Sequence, residues 1–413
     1  MVGGAVRPHG GPMSTTSTST STSTSTSTST RASGAAVAGA PTAGGEGRDL
    51  SLDVFRALAM FVVVAWHWVF TILRWRDDGP HVDNPISELP HLGYLTWVLQ
   101  VMPLFFLVGG ALTARSTSVL TSTGARFAWV GRRAQRLLGP AVPLVALLGA
   151  LYASALVAGQ PGIARAVFLT ATPLWFLLSY FVVTALLPLW GGAARRWPVG
   201  HVVVLAGWCV LWDVLRFTLG LEGPITWLSY VWVWLTVHQA GSLLDRFEVR
   251  GRALALVAAA FAVLVLATHV GPYPVPMVGT RTHDVSNMGP PTAVLLALAG
   301  VQLALVALSR GWVRRIAERH RPRVEVLAAH AMPVYLWHMV GFSVCALALL
   351  ALGVETPEEP TLVWWLTRPF WVVGPLLVAW PLIRRAASPI RRGEPSPPLA
   401  RPRAGAPCGS GEG

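Results

Sequence analysis

The sequence repeats apolar runs long enough to cross a lipid bilayer, and this repetition restricts the fold more than any other feature. Of its 413 residues, 53% are hydrophobic and only 12% are charged, too few charges for an ordinary water-exposed surface. Length and apolarity together mark about ten spanning runs, near residues 52–74, 94–114, 137–158, 173–190, 200–219, 224–244, 252–270, 292–310, 325–352 and 362–383. The sequence therefore predicts an all-α, polytopic membrane helical bundle of about ten transmembrane helices.

The loops between these runs alternate in arginine content. Arginines follow the second, fourth, eighth and last runs, at Arg126, Arg132, Arg133, Arg136, Arg195, Arg196, Arg314, Arg315, Arg319, Arg321, Arg323, Arg384, Arg385, Arg391 and Arg392. The first and ninth loops carry acidic residues instead, at Asp77, Asp78, Asp83, Glu88, Glu355, Glu358 and Glu359. Because arginine-rich loops stay on the inner side of a membrane, we expect both termini to be cytoplasmic. The net charge of +13 comes from these loops, so we expect no nucleic-acid partner.

Both ends of the chain differ in composition from its apolar centre. Residues 1–48 are rich in Gly, Ala, Ser and Thr, and residues 386–413 are rich in Pro, Arg and Gly. Neither segment has enough apolar side chains for a core, so we expect both to be disordered, with one transmembrane domain at 49–385. No cleavable signal peptide precedes the first run, which we expect to act as the insertion signal. Three cysteines, at Cys209, Cys345 and Cys408, follow neither a disulfide nor a metal pattern, and we expect no metal cofactor.

The first apolar run contains an arginine, Arg56, and a histidine, His67. Eleven residues of α-helix advance about 16 Å and rotate to within about 20° of whole turns, so the two side chains share one helix face. Ionisable groups are costly in hydrocarbon, so this face is expected to point into protein or a water-filled cavity. Asp53, three residues before Arg56, can pair with it. The spacing alone is equally consistent with a functional stripe and with a snorkelling arginine and a structural histidine.

Several stretches of the chain resemble the membrane acyltransferase family 3, and they occur in that family's order over roughly residues 49–385. They are Leu52-Asp53-Val54-Phe55-Arg56-Ala57 with Val64-Ala65-Trp66-His67, Pro103-Leu104-Phe105-Phe106-Leu107-Val108-Gly109-Gly110, Arg132-Arg133-Ala134-Gln135-Arg136-Leu137-Leu138, Leu174-Trp175-Phe176-Leu177 and Val334-Tyr335-Leu336-Trp337-His338. The family often has a serine where this chain has Gly109, which leaves a hydroxyl role at that position open.

The resemblance implies an integral membrane O-acyltransferase in a bacterial inner or plasma membrane. Its expected donor is cytoplasmic acyl-coenzyme A, with acetyl as the expected group. Its expected acceptor is a hydroxyl of a cell-envelope carbohydrate, a lipid-linked sugar or a glycosylated metabolite. Membrane lipid is expected to surround the protein. The site residues that the resemblance implies are catalytic His67 and His338, and substrate-binding Arg56, Arg133, Arg136 and Tyr335.

Histidine suits this chemistry because its unperturbed pKa of about 6.5 lets it deprotonate a hydroxyl or accept an acyl group near neutral pH. Arg133 and Arg136 lie three residues apart, so both can face one phosphate-sized anion. Without the resemblance, ordinary membrane-anchoring arginines are favoured for this pair, and a hydrogen-bonded structural role is favoured for His338.

Other polar groups inside or between the apolar runs carry weaker signals. His238-Gln239 and the pair of Asp213 with Arg216 lie within helical runs, and a self-satisfied ion pair is expected for the latter. The segment 271–291 lacks catalytic spacing, and we expect it to be a solvated outward loop.

Two other classes of protein remain open from the residues alone. A secondary transporter or flippase also has about ten helices with polar groups along an internal path, although no paired halves with interrupted helices are visible. A membrane scaffold without chemistry would not explain the free-energy cost of placing Arg56 and His67 within the membrane.

Overall fold

A computed structural model of the protein describes residues 49–391 apart from 119 and 121, and omits the side chains of 190 and 388–391. The expected disordered segment 1–48, residues 392–413 of the expected disordered tail 386–413, and Cys408 lie outside the described residues. The helices are α1 (Leu50–Val69), α2 (Thr96–Leu99), α3 (Met102–Thr117), α4 (Thr123–Leu138), α5 (Val142–Val157), α6 (Pro161–Ala171), α7 (Trp175–Ala185), α8 (Leu187–Arg196), α9 (Pro198–Leu219), α10 (Ser229–Gly241), α11 (Arg250–His269), α12 (Val294–Arg319), α13 (Arg321–Ala351), α14 (Leu362–Leu366) and α15 (Arg368–Arg391).

Within the described part of the chain, nine helical stretches are long and apolar enough to cross a membrane. This confirms the polytopic helical fold. The difference from the ten expected runs falls at 224–244, where a 3₁₀ segment, Gly223–Leu228, precedes α10, which has only 13 residues. A helix of that length rises about 20 Å, which is shorter than the hydrocarbon layer.

The short helix α10 lies inside the bundle, packed against α3. The rings of Phe106 and Trp234 stack with their centroids 4.6 Å apart. Farther along, a Cβ on Gly110 would overlap the carbonyl oxygen of His238, and a Cβ on Gly241 would overlap that of Leu107. Phe106 and Trp234 meet in the first half of the two helices, and Arg115, late in α3, pairs with Asp245, just after α10, at 2.8 Å. α10 therefore runs parallel to α3 with the two backbones touching. Its burial explains why it needs no lipid-facing apolar surface of full spanning length.

The start of α1 and the end of α15 lie on the same side of the bundle. α1 is parallel to α13, since Arg56 shares a cavity with Ala331 and His67 lies beside His338. α15 is antiparallel to α13, since Trp380 stacks on His330 whereas Gly374 faces Cys345. Both ends of the transmembrane domain thus lie on one side of the bundle, as expected for a chain that crosses the membrane an even number of times. α15 continues to Arg391, so the expected disordered tail from 386 begins within a helix.

On the opposite side, an ordered outer layer covers the bundle. The strands β1 (Ile72–Arg76) and β2 (Gly79–Asp83) pair antiparallel, with Ile72 opposite Asp83. Arg74 forms ion pairs with Asp83 at 2.9 Å and with Glu88 at 2.8 Å, and Arg281 from the segment 271–291 binds the same two carboxylates. These bonds tie the segment to the hairpin.

The segment 271–291 is therefore only partly the solvated loop that the sequence suggested. The amide of Asn287 is buried and donates to the carbonyls of Pro274 and Pro276 at 2.7 and 2.9 Å. Asp213 does not close a local pair with Arg216: its carboxylate accepts from the Tyr273 hydroxyl at 3.1 Å and from the Ala293 amide at 2.6 Å. Polar groups of the helices thus fix the outer layer, because buried backbone groups need partners.

The N-terminus of α1 is fixed by a buried carboxylate. Asp49 accepts a hydrogen bond from the Ser51 amide, which caps α1, and from Arg115 of α3 and Arg310 of α12 at 2.7 and 2.6 Å. Burial by itself would raise the pKa of the Asp49 carboxyl, but the hydrogen bonds from Ser51, Arg115 and Arg310 outweigh it and hold that pKa below its usual range. Three helices are joined through this one group.

Asp49→Asn should lower the free energy of unfolding in detergent or nanodiscs by about 1–3 kcal/mol at pH 7, because it removes charge-assisted bonds but keeps a capping side chain. The folded pKa is depressed, so this stabilisation is complete above the unfolded value of about 3.9 and disappears as the pH falls through the folded value. The difference in unfolding free energy between wild type and Asp49→Asn should therefore begin to shrink below about pH 4 and go on shrinking as the pH falls toward the folded pKa of Asp49.

The exposed Asp77, in the turn between the strands, provides the matched control, and Asp77→Asn should leave stability unchanged. A loss for Asp49→Asn that stays constant down to low pH would contradict this role of the carboxylate.

Candidate active site

One face of α1 lines two separate cavities. Arg56 and Met60 line a cavity of about 200 Å³ near the arginine-rich end of the bundle. Val63 and His67 line a cavity of about 150 Å³ toward the outer layer. The spacing of four, three and four residues keeps all four side chains on one face. The expected shared face of Arg56 and His67 is thus confirmed, and it points into protein cavities.

The first of these, here termed the arginine cavity, is lined by Arg56, Gly109, Arg133, Arg136, Tyr180 and Ala331 among others. Five helices contribute, namely α1, α3, α4, α7 and α13. Among the described residues, this lining has three arginines and no Asp or Glu, so it favours an anionic ligand. The three arginines that the resemblance implied are brought together here.

Each arginine of the pair on α4 reaches the cavity differently. The Nη2 of Arg133 donates to the Tyr180 hydroxyl at 2.7 Å, and its guanidinium lies 5.8 Å from the ring centroid of Trp129. Its buried Nε has no hydrogen-bond partner among the described residues. Arg136, one turn later, lies at the exposed rim. Arg133 is thus held in place but keeps donor capacity for a ligand.

The other two features of this cavity are an ion pair and a glycine. Arg56 pairs with Asp53 at 3.0 Å, as its spacing predicted, while one third of its side chain stays exposed. At Gly109, a Cβ would come within 2.6 Å of the ring of Tyr180. The absence of a side chain there makes room for the tyrosine that holds Arg133. The hydroxyl at this level of the site is therefore that of Tyr180 on α7. Reasoning from the sequence missed this residue, although it lies one turn after Phe176, which belongs to a quoted stretch.

The second cavity, here termed the histidine cavity, is lined by His67, Gln100, Trp175, Phe176, Met288 and Tyr335 among others. The Nδ1 of His67 lies 2.8 Å from the carbonyl oxygen of Val63. A carbonyl can only accept, so Nδ1 carries a proton, and in the neutral ring Nε2 therefore keeps its lone pair. This tautomer leaves Nε2 as the base or nucleophile. Trp175 belongs to one of the stretches that resemble the family but was given no role, and Gln100 and Met288 had no distinguishing sequence pattern.

His338 lies beside His67 and outside the cavity lining. The two ring centroids are 5.1 Å apart. The Nδ1 of His338 bonds to the carbonyl of Tyr335 at 2.5 Å, and its buried Nε2 has no partner within the described chain. The Trp68 indole donates to the carbonyl of His338 at 3.1 Å, which fixes α1 against α13.

Tyr335 lines the histidine cavity with its ring, while its hydroxyl donates to the carbonyl of Pro173 at 2.5 Å. The hydroxyl proton is therefore already used, and the side chain offers a substrate mainly an apolar face.

An aromatic partition separates the two cavities. Phe105 and Tyr180 line the arginine cavity and Phe176 lines the histidine cavity. Phe176 meets Phe105 edge to face at a centroid distance of 4.6 Å, and Tyr335 at 5.6 Å. A ligand that reaches from one cavity to the other must pass these rings or displace them.

Comparison with known proteins identifies one family that matches most of the chain. The acyltransferase 3 family, described as an acyltransferase domain, matches residues 49–384. No curated protein and no solved structure gives a match. The matched region includes both cavities and the helices that form them. The chain thus belongs to the acyltransferase 3 family and is a multi-pass membrane enzyme that transfers acyl groups.

Proposed function

We propose that this enzyme takes an acyl group, expected to be acetyl, from cytoplasmic acyl-coenzyme A. The acceptor is a hydroxyl of a cell-envelope carbohydrate, a lipid-linked sugar or a glycosylated metabolite. The observation that carries this proposal is the alignment of an arginine cavity and a histidine cavity along one face of α1. That face joins a site for an anionic donor to a base in the outer half of the bundle.

Acyl-coenzyme A combines two chemical features that match the two cavities. Its phosphates suit a cavity with three arginines and no acidic group in its lining. Its thioester lies at the end of a long flexible arm. Arg56 and His67 lie about 16 Å apart along the helix axis, so the arm can hold its phosphates at one end of the stripe and present the thioester at the other.

At the histidine cavity, Nε2 of His67 accepts the proton of the acceptor hydroxyl while the hydroxyl oxygen attacks the thioester carbonyl. The carbon–sulfur bond breaks, the thiolate takes the proton from the imidazolium, and an ester and free coenzyme A leave. In the alternative route Nε2 itself attacks the thioester carbonyl, the carbon–sulfur bond breaks and the thiolate leaves. The acceptor hydroxyl then attacks the acyl-imidazolium, the carbon–nitrogen bond breaks, and the hydroxyl proton goes to the thiolate, so that an ester, free coenzyme A and neutral His67 result. Both routes need Nε2 unprotonated, and the hydrogen bond of Nδ1 to the Val63 carbonyl favours this tautomer of the neutral ring.

His338 and Tyr335 support this centre in the proposal. The ring of His338 packs beside that of His67, with the centroids 5.1 Å apart, and its buried Nε2, which has no partner among the described residues, offers a second proton acceptor next to the base. The ring of Tyr335 forms part of the cavity wall.

His67→Ala should reduce acyl transfer by about a hundredfold or more without loss of folding, because it removes the base. The assay follows radiolabel from acetyl-coenzyme A into endogenous envelope material, in membranes that contain wild type or variant at matched levels. His330 provides a close control, since its Nδ1 also bonds to the carbonyl four residues earlier, at 2.7 Å, but it lines neither cavity.

His330→Ala should retain transfer. A fully active His67→Ala enzyme would contradict the proposed base. Flux of a labelled solute through reconstituted liposomes without any acyl donor would favour the transporter alternative instead.

Arg136→Ala should raise the KM for acyl-coenzyme A by about tenfold, with a smaller effect on kcat, because one charge-assisted bond to the donor is lost. The neighbouring Arg132 is also on α4, but it is exposed and absent from the lining of either cavity, so Arg132→Ala should leave KM unchanged. Equal effects of the two variants would mean that the arginines act through general surface charge, which would contradict a specific donor site.

A further inference from the structure

A third cavity, of about 60 Å³, lies beside the arginine cavity and is not used by the reaction proposed above. It is termed the His238 cavity, and its polar lining comes from Thr113, Arg126, Arg195, His238, Gln239 and Ser242. Four helices meet there, namely α3, α4, α8 and α10. Gly110, whose missing side chain lets α10 approach α3, and Gly191 are part of the same lining.

Several buried polar atoms around this cavity lack partners. The side chain of His238 is 2% exposed, and neither of its ring nitrogens has a hydrogen-bond partner among the described residues. The same holds for the Thr113 hydroxyl and for Nε of Arg126. Buried polar groups are nearly always bonded, and each exception costs about 1–3 kcal/mol. Unpartnered groups that converge on one cavity indicate a polar ligand.

The charge and size of the cavity specify the ligand further. Its lining contains two arginines and no Asp or Glu, so the ligand is an anion. Arg195 is anchored by the carbonyl of Leu120 at 2.9 Å, which fixes its guanidinium at the cavity wall. One water needs about 10–15 Å³ on this measure of volume, so the 60 Å³ space fits a group of about five non-hydrogen atoms, as in a phosphate.

The His238 cavity adjoins the arginine cavity on two helices. Arg126 and Arg133 are seven residues apart on α4, which places them on one face and about 10 Å apart along the axis. Gly109 lines one cavity and Gly110 the other. The rings of Tyr180 and His238 lie between them, with centroids 6.1 Å apart. One ligand with two separated phosphate positions could therefore contact both cavities.

We propose that the His238 cavity is a phosphate-monoester subsite that binds the ribose 3′-phosphate of acyl-coenzyme A while the pyrophosphate contacts Arg133 and Arg136. The inference rests on the proposed function and adds a second anchoring point for its donor. A phosphate monoester also occurs in the headgroup of phosphatidate, so the test separates the nucleotide from the lipid.

The test measures binding of acetyl-coenzyme A and of 3′-dephospho-acetyl-coenzyme A to the full chain in nanodiscs of neutral lipid. Wild type should bind the dephospho compound about tenfold more weakly, the loss expected for a charge-assisted contact. Arg126→Gln should weaken acetyl-coenzyme A binding by a similar factor and leave the dephospho compound unaffected. His238→Asn should likewise bring the affinity for acetyl-coenzyme A closer to the affinity for the 3′-dephospho compound. Arg132→Gln, an exposed arginine on the same helix, should behave as wild type.

Equal binding of both donors by wild type would overturn the subsite and leave the proposed function intact. No binding of either donor by any variant would count against the proposed function itself. Equal binding of both donors, together with phosphatidate binding that Arg126→Gln abolishes, would assign the cavity to a lipid headgroup and overturn its assignment to the donor.

Discussion

The cost of ionisable groups in hydrocarbon is the constraint on which the rest of the structure depends. Arg56 and His67 lie on one face of α1, and neither can face lipid without losing its hydration. α3, α7 and α13 therefore enclose that face and leave two cavities along it. The contacts that hold α1 in this position lie at both of its ends. The Asp49 carboxylate joins it to α3 and α12, and Trp68 joins it to α13.

Close contact of helices shapes the cavities in a second way. Gly109 admits the ring of Tyr180, which holds Arg133, and Gly110 lets α10 approach until His238 reaches the third cavity. Adjacent glycines of α3 thus position one polar side chain from each of two neighbouring helices. The aromatic rings between the cavities form an apolar barrier, which suits the proposed thioester donor because such a barrier restricts the access of water.

The sequence predicts the part of this structure that follows from helical periodicity. The shared face of Arg56 and His67 and the local pair with Asp53 depend only on spacing along one helix, and both are present. It does not reveal the short α10, because a buried helix need not have a spanning length. It also misses Tyr180 and the burial of Asn287, because contacts between segments distant along the chain have no periodic signal.

In the reaction that we propose, the acyl group enters from the arginine-rich side of the bundle and leaves on the side of the outer layer. The most direct test uses sealed vesicles of one orientation with radiolabelled acetyl-coenzyme A on a single side and endogenous envelope acceptor in the membrane. We expect labelled product only when the donor is on the side of Arg133. An impermeant esterase added on that same side should release no label from the product until the vesicles are opened. Product accessible from the donor side in sealed vesicles would contradict the account.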